Sequence, residues 1–115
     1  MELQVDDIVG GTVNCLRLTG RLDAPGADQI GLRFTAAAAA PGRHALVDLS
    51  GVSFMASMGI RLLIATARAA RTRGSMFLMF GAPELVQAVL TDAAIDQIIP
   101  LFPTEAEALK SLPGQ

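Results

Sequence analysis

The sequence has a single cysteine, a single histidine, and neither tryptophan nor tyrosine among its 115 residues. Its one cysteine, Cys15, cannot form a disulfide within the chain, and one cysteine with one histidine is too few ligands for a typical zinc site. The chain also lacks an uncharged apolar run of about 18 residues, and a basic start followed by an apolar segment and a cleavage site. We therefore expect a cytoplasmic protein with no direct membrane insertion.

The motifs of several enzyme classes are missing as well. The residues around Ser57 read Met55-Ala56-Ser57-Met58-Gly59, so the Gly-x-Ser-x-Gly pattern of serine hydrolases fails at its first glycine. No Gly-x-x-x-x-Gly-Lys-Ser/Thr phosphate-binding loop occurs in the sequence. The carboxylates of Asp23 and Asp48 follow predicted strands, but a helix cap and a turn hydrogen bond account for them. We predict no enzymatic activity, no metal and no cofactor.

Length and charge limit the domain count and the kinds of partner. Apolar residues make up 51% of the chain, and the formal net charge is −2. A chain of this length buries roughly 65% of its unfolded surface, which is enough for one core. We therefore expect a single domain over residues 1–115. Such a small negative charge gives no general attraction to nucleic acid, so we expect no nucleic-acid partner.

Apolar patterns predict strands and helices that alternate along the chain. The predicted strands are a short edge strand around Leu3 and Val5, then residues 13–19, 45–47, 76–80 and 98–102. Helices are predicted after Asp23, from Ser57, over residues 83–90 and after Thr104. Strands joined through helices are parallel, whereas Gly10-Gly11 predicts a tight antiparallel hairpin. The fold class is therefore α/β, with a mixed sheet of about four to five strands and about four helices.

Residues 48–64, which read DLSGVSFMASMGIRLLI, are the most informative stretch. The apolar strand that enters it is expected to stop at Asp48 and Ser50, and a short loop is expected to lead to Ser57. Apolar residues then recur at helical spacing, which makes Ser57 the predicted N-cap of a helix. A second interpretation uses the same geometry. A phosphate on Ser57 would be held by the free N–H groups and the positive end of the helix dipole, so Ser57 is also a candidate switch.

Positive charge is concentrated on this helix. Four of the nine basic residues lie in it or just after it, namely Arg61, Arg68, Arg71 and Arg73. Arg61 and Arg68 lie two helical turns apart, on one side of the helix and away from its apolar face. This pattern fits either an ordinary solvated surface or a docking surface for an acidic partner.

Motifs before and around Ser57 carry a family resemblance. Residues 15–23 read CLRLTGRLD, and residues 48–55 read DLSGVSFM, followed by Ser57 and by Gly59-Ile60 before an apolar helix. This order resembles the STAS domain of bacterial anti-sigma factor antagonists, which has a Gly-x-Leu/Ile-Asp signature and, usually, an Asp-Ser-Ser/Thr-Gly-Leu motif. The likeness covers nearly the whole chain and implies a STAS-like fold, with residues 1–115 forming a single STAS domain.

The resemblance also implies a function. It implies that the chain binds an anti-sigma factor, usually a serine kinase, in a partner-switching cascade that frees a sigma factor for transcription. Ser57 matches the serine that the partner kinase phosphorylates in that family. Ala56 and Met58 stand where the family usually has Asp and a second Ser or Thr, which leaves open a constitutive antagonist that is not phosphorylated. The expected contact surface around Ser57 comprises Asp23, Ala56, Met58, Gly59 and Arg61.

Three other possibilities remain open from the sequence. The chain also looks similar to the cytoplasmic STAS subunit of a lipid-transporting ABC system, in which an ATPase would be the partner. A small-ligand sensor would need a pocket among Met76, Met79 and the helices, although the strand context favours core positions for both methionines. Finally, the first strand is a candidate open edge, through which two copies of the chain would form a homodimer.

Overall fold

A computed structural model of the chain describes residues 1–113, in which strands and helices alternate along most of the chain. The strands are β1 (Glu2–Ile8), β2 (Val13–Leu22), β3 (His44–Met55), β4 (Phe77–Phe80) and β5 (Leu101–Phe102). The α-helices are α1 (Ala24–Ala38), α2 (Ser57–Thr72), α3 (Glu84–Asp92) and α4 (Glu105–Lys110). The predicted α/β class is confirmed. None of the helices described here is both long enough and apolar enough to cross a membrane.

The five strands form one mixed sheet in the order β1-β2-β3-β4-β5. The strands from β2 to β5 pair in parallel, whereas β1 pairs with β2 antiparallel, as the sequence predicts. The connection between β1 and β2 contains Gly10 and Gly11, at φ angles of +63° and +86° that favour glycine. The first strand therefore lies at one edge of the sheet, and no strand within residues 1–113 pairs with its outer side.

The helices α1, α2 and α3 cover one side of the sheet, which we name the helix face. Leucines 16 and 18 of β2 point to this side and join a buried apolar cluster with all three helices. At its centre the rings of Phe34 and Phe77 meet edge to face, with centroids 6.2 Å apart. Met79 is fully buried in the same cluster, so this methionine is a core side chain.

The opposite side of the sheet, which we name the α4 face, is covered by the short helix α4. Cys15 lies there in a smaller apolar cluster that Ala108 and Leu112 complete from the α4 side. Burial raises the pKa of the Cys15 thiol to about 12. The thiol therefore stays protonated at neutral pH and fills space, as the sequence predicts.

Several predicted boundaries are wrong, and the central strand differs most. We expected it to end at Asp48 and Ser50, but β3 continues to Met55. The reason is that β2 runs beside it to its end and follows it through two register shifts. The final strand contains only Leu101–Phe102, because the N–H groups of Ile98 and Ile99 donate to the Ile95 carbonyl and so close the 3-10 turn that precedes them.

Candidate functional site

The candidate site lies where the neighbouring parallel strands β2 and β3 end. The last residues of the two strands, Leu22 and Met55, are partners in register. Asp23 follows the first of them and Ala56 the second, and the Ala56 N–H donates to the Leu22 carbonyl at 3.1 Å. Both chain segments therefore enter their helices side by side. Carboxyl ends of parallel strands are a common place for binding sites in α/β folds.

Ser57 is the first residue of α2, and the predicted N-cap is wrong by one position. The N-cap is Ala56, whose backbone is extended and whose carbonyl accepts from the Ile60 N–H at 3.1 Å. The start of the helix is fixed by the main-chain bond of Ala56 to β2, so a side-chain cap is not needed. Ser57 is exposed and makes no capping bond, which leaves its hydroxyl accessible to another molecule.

Gly59 is buried under the first turn of α2, against the end of β2. A Cβ atom at this position would come within 2.5 Å of the Leu22 carbonyl oxygen and 2.7 Å of its Cγ. Only glycine lets the two backbones approach so closely. Gly59 therefore positions the exposed residues Met58 and Arg61 of the same turn, and does not itself face solvent.

Asp23 caps α1 beside the start of α2. Its carboxylate accepts from the Gly26 N–H at 2.9 Å and from Arg21 Nε at 3.2 Å. The Gly26 hydrogen bond is the main cause that lowers the pKa of Asp23, so this group is charged at neutral pH. The helix cap predicted from the sequence is confirmed, and Asp23 also places a fixed negative charge at the edge of the site.

Met58 and Arg61 are exposed on the first turn of α2, together with Ser57. The Met58 side chain is 41% exposed, and the Arg61 guanidinium lies 4.0 Å from its sulfur. Within residues 1–113, Arg61 forms no ion pair, and the same holds for Arg68 and Arg73 further along α2. The site therefore combines an exposed hydroxyl, an apolar contact and positive charge that no carboxylate of this region neutralises.

Asp48 lies away from this site, within β3 and on the α4 face. Its carboxylate accepts from the Ser50 N–H at 2.9 Å, and from the Ser50 hydroxyl at 2.6 Å. Arg17 donates to Asp48 at 3.1 Å and to Asp6 and Glu105 at 2.7 Å and 2.9 Å. Burial opposes the charge of Asp48, but the hydrogen bonds from Ser50 and Arg17 outweigh it and lower its pKa. The local hydrogen bond predicted for Asp48 is confirmed, but it lies within strand β3 and not in a loop.

Two exposed apolar residues near the site escaped the sequence analysis. Phe54 is 41% exposed and lies under the Arg21 guanidinium, which is 4.2 Å from the ring centroid. Leu32 of α1 is 91% exposed. The sequence indicates this exposure of Leu32, because Ile30 and Phe34 mark the apolar side of α1. A residue two positions from each of them lies on the opposite side of the helix. Phe54 gives no such signal, because the sequence predicts a loop between Ser50 and Ser57.

The chain matches the family model of the STAS domain over residues 4–108. An anti-sigma factor antagonist (STAS) domain protein from Planctomyces limnophilus is 25% identical, with a TM-score of 0.83 over 95% of this chain and 96% of that one. An anti-sigma factor antagonist from Mycobacterium paratuberculosis is also 25% identical, with a TM-score of 0.84 over 96% and 92%. The anti-sigma factor antagonist SpoIIAA in its unphosphorylated form is 21% identical, with a TM-score of 0.80 over 99% and 98%. At that identity, SpoIIAA supports the fold alone.

Proposed function

The chain belongs to the STAS domain family, and from this premise we propose that it is an anti-sigma factor antagonist that binds a serine-kinase-type anti-sigma factor. Two structures that are 25% identical to it over nearly their whole length are described as anti-sigma factor antagonists. The observation that carries the proposal for this chain is the surface at the start of α2. There an exposed Ser57 hydroxyl stands beside exposed Met58 and Arg61.

This surface suits a protein partner. Asp23 and Arg61 supply one charge of each sign, and Met58 supplies an adaptable apolar contact. Gly59 and the Ala56 main-chain bond hold these side chains on the ends of packed elements instead of on a long loop. A rigid surface loses little conformational entropy when a partner binds.

We further propose that phosphorylation of Ser57 ends the bound state. SpoIIAA has been solved in a phosphorylated as well as an unphosphorylated form. In this chain a phosphate at the first position of α2 lies at the positive end of the helix dipole. Arg61 is four residues further on, which is the spacing at which side chains on one helix face meet. A group of about −1.5 to −2 charges would then neutralise Arg61 and cover Met58.

Binding is tested with purified anti-sigma factors from the same genome, by titration calorimetry against the whole chain. We expect Met58→Glu to weaken binding by about tenfold or more, because it places a charge in an apolar contact. The matched control is Leu85→Glu, since Leu85 of α3 is also exposed, at 78%. The proposal fails if no anti-sigma factor binds, or if an ABC-type ATPase co-purifies with the chain instead.

Phosphorylation is tested by incubating the chain with the bound kinase and labelled ATP. We expect label on the wild type, none on Ser57→Ala, and full label on Ser53→Ala, which removes another exposed hydroxyl at this edge. A phosphorylated chain should no longer bind the kinase. If the kinase binds but labels neither the wild type nor the variants, the chain is a constitutive antagonist and Ser57 is only a contact residue.

A further inference from the structure

A long apolar groove runs between α1 and α2, starting beside the candidate site. Its first part has a volume of about 420 Å³ and is lined by Leu32, Met58, Leu62 and Arg61 among others. The adjoining part, of about 610 Å³, shares Thr35 with the first and continues along the small side chains of both helices. We name the two parts together the α1–α2 groove.

Small residues make this surface concave. Gly31 and Ala36 on α1 and Ala69 on α2 line the groove, so that neither helix fills the space between them. Beneath them the hydroxyls of Thr35 and Thr66 lie 3.1 Å apart and tie the two helices together. The groove follows α1 from Asp28 to the helix end at Ala38, which at 1.5 Å per residue is about 15 Å, or nearly three turns of another helix.

Leu32 has no explanation within the fold. It is 91% exposed, whereas the other large apolar residues of α1, Ile30 and Phe34, are at most 2% exposed. Met58, which is 41% exposed, stands across the groove from it. An exposed leucine beside an exposed methionine at the rim of an apolar groove is the arrangement into which the apolar stripe of an amphipathic helix fits.

The charge at the groove is positive, although the whole chain has a net charge of −2. Arg61 and Arg73 line its two ends, and Arg68 lies on the same side of α2 as Arg61. Asp28 is the acidic residue that lines the groove, at the Arg61 end. By contrast Arg17, Arg21 and Arg43 are all paired with carboxylates. Six basic side chains of residues 1–113 form no ion pair, and three of them, Arg61, Arg68 and Arg73, lie at the groove or on its side of α2.

We propose that the α1–α2 groove binds an amphipathic helix of the partner, whose apolar stripe is flanked by acidic side chains. The identity of that partner as an anti-sigma factor rests on the proposed function, because the groove begins at Met58 beside Ser57. The chemistry of the helix rests on the groove alone. A convex helix matches a groove nearly three turns long, whereas a membrane surface would leave its floor uncovered.

The test uses the whole chain, labelled with ¹⁵N, and a synthetic helical peptide of about four turns. The peptide carries leucines at the i, i+3, i+4 and i+7 spacing and glutamates beside them. A control peptide has lysines in place of the glutamates. With the acidic peptide we expect saturable chemical-shift changes in residues 27–40 and 58–73. We expect the basic peptide to bind at least about tenfold more weakly.

Two variants then locate the contact. Leu32→Gln should weaken binding of the acidic peptide about tenfold, because one buried leucine is lost from the contact. Leu85→Gln, an equally conservative change at an exposed leucine outside the groove, should leave the affinity within about twofold. No saturable binding, equal binding of both peptides, or shifts centred elsewhere would overturn the proposal. So would binding to phosphatidylglycerol vesicles that Leu32→Gln abolishes while peptide binding is absent.

The same variants separate this proposal from the proposed function. If an anti-sigma factor binds and Met58→Glu weakens it, but Leu32→Gln does not, the function stands and the groove proposal fails. If the acidic peptide binds the groove and no anti-sigma factor binds the chain, the proposed function fails, and the groove accepts an acidic helix from another protein.

Discussion

The helix face and the α4 face of the sheet use the same strands but are stabilised by different interactions. Along β2, Leu16 and Leu18 enter the apolar core, while their neighbours Cys15 and Arg17 point to the α4 side. The helix face is held by fully buried aromatic and aliphatic side chains. On the α4 face the apolar cluster is smaller, and Arg17 joins three carboxylates beside it.

This difference indicates how each face contributes to stability. Apolar burial under three helices is nearly independent of pH and is lost only when the whole domain unfolds. A charge network that is part exposed depends on pH and salt, and a helix of only six residues opens locally at low cost. We therefore expect the helix face to determine global stability and the α4 face to determine local opening.

The largest expected effect is from Phe34→Ala on the helix face. Phe34 is fully buried and packs edge to face on Phe77, so its loss should lower the free energy of unfolding by about 3–5 kcal/mol. The matched change on the other face is Leu112→Ala, where Leu112 is also buried. We expect that variant to cost about 2 kcal/mol or less, because the smaller apolar cluster of the α4 face encloses less of the side chain that is removed. Urea denaturation measures both, and equal losses would contradict the comparison.

A second effect concerns how closely α2 approaches the sheet. Gly59→Ala places a Cβ 2.5 Å from the Leu22 carbonyl oxygen, and should cost about 1–3 kcal/mol by overpacking. Gly31→Ala is the control, because its Cβ would meet only Leu62 Cδ1 at 3.8 Å. That change should stabilise α1 by about 0.5–1 kcal/mol, since alanine is the better helix former. Thermal unfolding distinguishes the two, and a stable Gly59→Ala variant would show that α2 shifts freely.

Arg17→Gln tests the charge network of the α4 face. It leaves Asp6, Asp48 and Glu105 without their shared cation, and should cost about 1–2 kcal/mol at neutral pH, given the part exposure of the network. The pKa of Asp6 and that of Asp48 are lowered in the folded chain. Their stabilising contribution is therefore present above the unfolded pKa of about 3.9 and is lost as pH falls through the folded values.

The difference in stability between wild type and Arg17→Gln should accordingly stay nearly constant from pH 7 to about 5, and should narrow as pH falls below about 4. Arg43→Gln is the control, because Arg43 pairs with the largely exposed Asp7 at 2.6 Å. We expect it to change stability by about 0.5 kcal/mol or less. A pH-independent difference for Arg17→Gln would mean that packing of its aliphatic stem, and not charge, is what the variant removes.

The smallest effect is expected from Thr104→Ala. The Thr104 hydroxyl accepts from the Glu107 N–H at 3.2 Å and caps α4. Its loss should cost about 1 kcal/mol. Amide hydrogen exchange should rise in α4 but not in α1 or α2. Faster exchange throughout the domain would mean that α4 opens only together with the helix face.

Much of the fold was predictable because its signals are local. The apolar strand at residues 76–80, the Pro25 start of α1, and the caps at Asp23 and Thr104 each depend on a few neighbouring residues. The length of β3 was not predictable, since the polar residues Asp48 and Ser50 resemble a strand end. The Asp48 carboxylate bonds locally to Ser50 while β2 continues alongside, and only the neighbouring strand reveals this.

Some features of the candidate site also follow from the local sequence, whereas others depend on neighbouring elements of the fold. The sequence by itself determined that Ser57, Met58 and Arg61 open a helix, because helical spacing and motif order are properties of consecutive residues. Only the tertiary structure decided that Ala56 is the cap, since its N–H is bound by the end of β2. The groove beside Leu32 also needed the tertiary structure, because two helices far apart in sequence form it when both pack on one sheet face.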